Sequence, residues 1–135
     1  MEKNIDYAIS GALLPGELGE LLDAVFSTNF TTSEHSAIIH QSTAYVTARH
    51  GADLVGFGRI LSDGATIAYI NYMAVTPKFQ NQGIGKHILE LLVEAAGAVH
   101  SIFLYTNTAD PLYLRNGFQL SEKRLYVMHN PAGGN

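Results

Sequence analysis

The chain has 135 residues, 47% of them apolar and 15% charged, with a mean hydropathy of +0.08. That length suits one domain around one core, and the balance of residues excludes a disordered chain. A net charge of −4 argues against a general nucleic-acid binder, and the absence of Cys removes disulfides, zinc–thiolate sites and any Cys nucleophile.

In residues 4–10, Ile5, Tyr7 and Ile9 alternate with polar or small neighbours, which predicts a first strand. Pro15 stands where a helix would begin, and Leu18, Leu21, Leu22, Val25 and Phe26 follow at helical spacing. The cluster Thr31-Thr32-Ser33, with Glu34 close behind, predicts a second helix start. Strands are expected over residues 43–49, 54–61 and 66–75, separated by turns at 50–53 and 62–64. The third of these is apolar on both faces, interrupted by Asn71 alone, so it is expected at the centre of its sheet.

A glycine-rich turn then leads into a helix with Ile84, Ile88, Leu91, Leu92 and Ala95 inward, closed by Gly97. A strand over residues 101–106, a short helix from Asp110-Pro111 to Gly117, and a final hairpin from residues 118–120 and 124–129 complete the order. Antiparallel strands early and one β-α-β crossover later imply an α/β fold, a mixed sheet with helices on both faces. The domain is expected to occupy residues 1–130, followed by a loose tail, Pro131-Ala132-Gly133-Gly134-Asn135. No stretch approaches the roughly 18 apolar residues of a membrane span. The opening Met1-Glu2-Lys3-Asn4-Ile5-Asp6 is too polar for a secretory leader, so a cytoplasmic protein without a membrane partner is expected.

Gly83 and Gly85 flank Ile84 where a strand has ended and a helix begins. Glycines there admit close approach to the backbone, and the first helical N–H groups have no intrahelical partner. Either this is a glycine-rich helix entry with no ligand, or it is an anion cradle, which Lys78 and Lys86 would reinforce. The dinucleotide pattern G-x-G-x-x-G fails at Ile88, and the nucleotide P-loop fails because His87 follows Gly85-Lys86.

Gln80-x-x-Gly83-x-Gly85, preceded by Val75-x-Pro77 and followed by a Leu-rich helix, resembles the acetyl-CoA loop of the GNAT N-acetyltransferases. About thirty residues on, Ala109-Asp110-Pro111-Leu112-Tyr113-Leu114-Arg115-Asn116-Gly117-Phe118 resembles that family's A-x-x-x-Y-x-x-x-G-F segment. The close match covers residues 66–118. The resemblance implies a single-domain GNAT-like acyl-CoA N-acyltransferase fold with acetyl-CoA as acyl donor. It implies that the pantetheine arm lies between splayed strands, on the backbone of Met73, Ala74 and Val75. The pyrophosphate would rest on amides of Gln80, Asn81, Gln82, Gly83, Ile84, Gly85 and Lys86, with Thr106 and Asn107 as further contacts. Tyr113 would touch the cofactor near the thioester sulfur and protonate the departing thiolate.

The implied reaction is direct attack of a primary amine on the thioester through a tetrahedral intermediate, with no acyl-enzyme. The sequence departs from the family at two points. No carboxylate stands in Tyr69-Ile70-Asn71-Tyr72, where many members carry a general base, and Thr106 replaces a frequent Asn. Phe26, Phe30, Tyr45 and Asn71 are candidates for the acceptor side. Residues 1–63 hold three basic and eight acidic side chains, net −5, which favours a small cationic acceptor. The six histidines show no H-x-H or H-E-x-x-H spacing, so no metal site is expected. A non-catalytic acyl-CoA-binding module is the second reading, motivated by the missing base, and an exposed strand edge would suit a homodimer.

Overall fold

Residues 4–130 are described by the structure, a computed structural model; the expected tail at 131–135 lies outside them. Strand β1 (Asp6–Ile9) leads into helices α1 (Pro15–Phe26) and α2 (Thr32–Gln41). Pro15 occupies the first turn, where a missing N–H costs nothing. Helix α2 starts on a capping box: Glu34 N–H donates to Thr31 Oγ1 at 3.1 Å, and Thr31 N–H donates to the Glu34 carboxylate at 2.8 Å. Strands β2 (Ala44–His50), β3 (Asp53–Ser62) and β4 (Ile67–Val75) form an antiparallel meander. Helix α3 (Ile84–Ala96) crosses over to β5 (Ser101–Phe103), which runs parallel to β4 and is followed by the short helix α4 (Asp110–Leu114). The sheet order is β1-β2-β3-β4-β5.

The alternation along each strand divides the core in two. On one face, Val46, Ala48, Ile60 and Ile70 meet Ile84, Ile88 and Leu92 of α3. On the other, Tyr45, Phe57 and Ala74 meet Leu18, Leu22 and Ile38 of α1 and α2. Arg49 ties β2 to α1, its guanidinium donating to both Glu17 carboxylate oxygens at 2.8 and 3.0 Å. Phe57 is fully buried and stacks on Tyr45 at 5.7 Å between centroids. Its replacement by Ala should therefore cost about 3–5 kcal/mol, read as a lower urea midpoint with an unchanged slope. A loss below about 1 kcal/mol would mean that this face is not packed as described.

Strand β4 carries an extra residue. Phe57 pairs with Ala74 and Gly56 with Val75, whereas Arg59 pairs with Asn71 and Ile60 with Ile70. The shift is a β-bulge, and Tyr72 within it has φ 53°, the left-handed region that a bulky residue seldom adopts. Opposite the bulge, a Cβ on Gly58 would stand 2.6 Å from Met73 Sδ and 2.9 Å from Leu92 Cδ1, so glycine is what lets α3 close over this point. Strands β4 and β5 pair only from Ile67↔Ser101 to Tyr69↔Phe103; β4 then continues to Val75 without β5 beside it.

Three expectations are corrected. The middle strand is β3, not β4. One face of β4 is only partly covered, because it forms the floor of a cleft. Strand β5 ends at Phe103 rather than running to residue 106, since the chain turns away from β4 there. The expected final hairpin is absent among the described residues: after Phe118 no strand forms, and Leu120, Tyr126 and Met128 are 84–90% exposed. Alternating apolar residues make a segment capable of pairing, but they supply no partner, and none lies opposite this one.

Candidate active site

Where β4 and β5 part, a cleft of about 1300 Å³ opens between β4, the start of α3, residues 104–109 and α4. Its phosphate-sized end is built from backbone. After a 3-10 turn (Pro77–Phe79), Asn81 and Gly83 both take left-handed φ values, 62° and 86°. The first helical bond of α3 runs from His87 N–H to the Gly83 carbonyl at 3.1 Å. The amides of Ile84, Gly85 and Lys86 therefore precede it without a helical acceptor, at the positive end of a thirteen-residue helix whose first turn holds no acid.

Packing within the fold does not account for the glycine at position 85. A Cβ there would meet nothing nearer than Leu112 Cδ2 at 3.7 Å, and its φ lies outside the left-handed region. The fold does not need glycine at this position, and its absence of a side chain leaves open space beside the amides. Exposed Lys86 adds a cation at the same mouth. Together these groups suit a pyrophosphate.

Most of the sequence-derived cofactor residues line this cleft: Met73, Val75, Gln80, Asn81, Gly83, Ile84, Gly85, Lys86, Thr106, Asn107 and Tyr113. Two do not. Ala74 is buried against α1 and α2, leaving only its backbone for such a role, and Gln82 braces the loop by donating to the Lys78 carbonyl at 3.2 Å. Gln80 donates to the Val75 carbonyl at 2.9 Å, and Thr106 Oγ1 accepts from Ala109 N–H at 3.1 Å, fixing the entry to α4.

Tyr113 is 8% exposed, with its ring edge-on to Phe118 at 5.8 Å. Burial raises its phenol above the ordinary value of 10.0, so it is protonated at neutral pH. Its hydroxyl takes no partner among the described residues and remains available to an occupant of the cleft.

No carboxylate appears in the cleft lining, although the charge of Glu34 reaches Tyr72 at its edge. Asn71 lines the cleft and accepts from Arg59 Nε at 2.6 Å. Burial, reinforced at Tyr69 by the Tyr105 hydroxyl, raises the phenols of Tyr69 and Tyr72, so neither serves as a base. His87 stacks on Tyr7 at 3.9 Å, outside the lining. Asp63 is engaged by its own turn, where the Thr66 hydroxyl and the amides of Ala65 and Thr66 hold its carboxyl well below the usual range.

On the acceptor side, Phe26 lines the cleft and Phe30 stands behind it, edge-on to Tyr72 at 5.9 Å. Tyr45 is corrected: it is a core residue, buried against Phe57, with its hydroxyl donating to the Gly11 carbonyl. Sequence reasoning missed Tyr69, Tyr72 and Arg115 in the lining and Arg59 beside it. A lone cation in the otherwise apolar run of β3 was the available signal for Arg59.

Comparison with known proteins agrees with this geometry. Residues 41–120 match the model of the acetyltransferase (GNAT) domain family. A Staphylococcus aureus protein of unknown function, described as a probable acetyltransferase, superposes with a TM-score of 0.82 at 21% identity over 93% of this chain and 100% of that one. A GNAT family acetyltransferase from Streptococcus pneumoniae gives 0.81 at 19% identity, over 95% and 99% of the two chains. Glucosamine-6-phosphate N-acetyltransferase from Arabidopsis thaliana gives 0.72 at 14% identity, over 93% and 99%. At such identities the likeness is one of fold. No curated protein matches the chain in sequence.

Proposed function

Because the chain belongs to the GNAT acetyltransferases, we propose that it transfers the acetyl group of acetyl-CoA to the primary amine of a small acceptor. The observation that carries the reading is the open cradle of α3 amides beside Gly85, continuous with a cleft that ends at Tyr113. The amides of Ile84, Gly85 and Lys86 hold the pyrophosphate, and the gap between β4 and residues 104–106 takes the pantetheine arm. The amine nitrogen forms a bond to the thioester carbon through a tetrahedral oxyanion, for which a backbone N–H of residues 73–75 is the donor. The C–S bond then breaks, the thiolate takes the Tyr113 hydroxyl proton, and solvent restores it. The ammonium formed on the acceptor loses its extra proton to water, since no carboxylate stands in the cleft lining.

Among the described residues no helix is long and apolar enough to cross a membrane. Within the same proposal the chain is a homodimer: β5 ends the sheet, and exposed Leu125, Tyr126, Val127 and Met128 leave apolar surface for a second copy. The deciding experiment is CoA release from acetyl-CoA with a panel of small amines. Steady release with at least one of them supports the enzyme. Tight acetyl-CoA binding with no release on any amine would instead favour the acyl-CoA-binding module, which the missing base keeps as the second reading.

A further inference from the structure

A cation without a counter-ion among the described residues stands beside the cleft, against its lining residues Asn71 and Tyr72. Arg59 follows Phe57 by two residues on β3, so its side chain emerges on the sheet face that α1 and α2 cover. It faces Asn71 across the strand pair and donates from Nε to Asn71 Oδ1 at 2.6 Å. Its guanidinium carbon lies 5.1 Å from the centre of the Tyr72 ring. Those contacts occupy one of its five donors; the terminal nitrogens take no partner among the described residues.

The ion pair of Arg49 with Glu17 is the only one among the described residues. Glu34, whose charge reaches Tyr72, is committed to the capping box of α2. Burial disfavours the Arg59 charge, yet a guanidinium remains protonated under any physiological condition. The outer donors of this fork are not sealed from solvent among the described residues, so an anion can complete it by displacing water.

We propose that Arg59 binds an anionic group of the acceptor, a carboxylate or a phosphate, through its terminal nitrogens, with Tyr69 and Tyr72 as walls of that subsite. The acceptor's amine then points along β4 toward the Met73–Val75 backbone. Two to four residues of strand separate the two places, ~7–13 Å, the span of a small molecule. The inference rests on the acetyl-transfer reading for the amine, and not for the anion subsite.

Calorimetry on CoA-saturated protein tests it with matched pairs: phenylalanine against 2-phenylethylamine, and O-phosphoethanolamine against ethanolamine. In at least one pair the member that carries the carboxylate or phosphate should bind about tenfold or more tightly than the member that lacks it. Which pair discriminates tells carboxylate from phosphate. Arg59→Met should bring the ratio to about one while the acetyl-CoA thermal shift persists, as should Asn71→Asp, which sets a carboxylate against Nε. No preference in either pair, or a preference that survives both variants, overturns the proposal. CoA release with the same amines is read separately: preferential binding without turnover on any amine leaves the anion subsite standing and overturns the acetyl-transfer reading alone.

Discussion

Gly85→Val should abolish the stabilisation expected from acetyl-CoA and leave the fold standing. In the unsubstituted protein, acetyl-CoA at about 100 times its dissociation constant adds roughly 2.7 kcal/mol, a midpoint rise of about 5–10 °C for a domain of this size. NAD and ATP at the same concentration should give a much smaller rise, because the cradle continues into the gap beside β4 and the pantetheine arm is what fills it. Val at position 85 puts its methyl groups in the space beside the α3 amides, where the diphosphate would rest. The protein itself tolerates the change, since the nearest atom to a new Cβ is 3.7 Å away and Val is no worse than Gly in a helix. Unliganded stability should therefore stay within about 1 kcal/mol. A folded Gly85→Val protein that still gains the full shift would remove the α3 cradle from the site, and the mechanism with it.

The second large effect is on turnover. Tyr113→Phe keeps ring, burial and the contact with Phe118, and removes only the hydroxyl. If that hydroxyl protonates the departing thiolate, kcat should fall by about 100-fold or more, while the thermal response to acetyl-CoA is unchanged. The pH profile gives an independent check. The protonated phenol is the working form, and burial raises its pKa above 10.0, so activity is retained through neutral pH and lost as pH rises past that value. The alkaline limb should be missing in Tyr113→Phe. A fall in kcat of less than about threefold would make Tyr113 a packing residue.

Much of this arrangement was legible in the sequence because its causes are local. Pro15, the Thr31–Glu34 box and Gly97 mark helix ends by their own backbone chemistry: α1, α2 and α3 begin within a residue or two of the expected places, and α3 closes at Gly97 as expected. The cradle was legible for the same reason. The bulge at Tyr72 was not: nothing in Asn71-Tyr72-Met73 announces it, and the cue lies on another strand, in Gly58, where a side chain would collide with Met73 and Leu92. Tyr45 sits in the core rather than the cleft because aromatic content says nothing about which sheet face or depth a side chain reaches. The final strands failed because pairing is a long-range property, and alternation records only readiness for it.

The carboxylate-free lining also shifts a selection onto the acceptor's own basicity. If the proposed transfer runs without an internal proton acceptor, only the free-base fraction of the amine would react on arrival. At pH 7 an α-amino group of pKa about 7.8 is ~14% free base, whereas a lysine-like amine of pKa about 10.4 is ~0.04%. Weakly basic amines would then start with an advantage of roughly 300-fold before any contact is made. The cleft would discriminate between amines through a group that its described lining lacks.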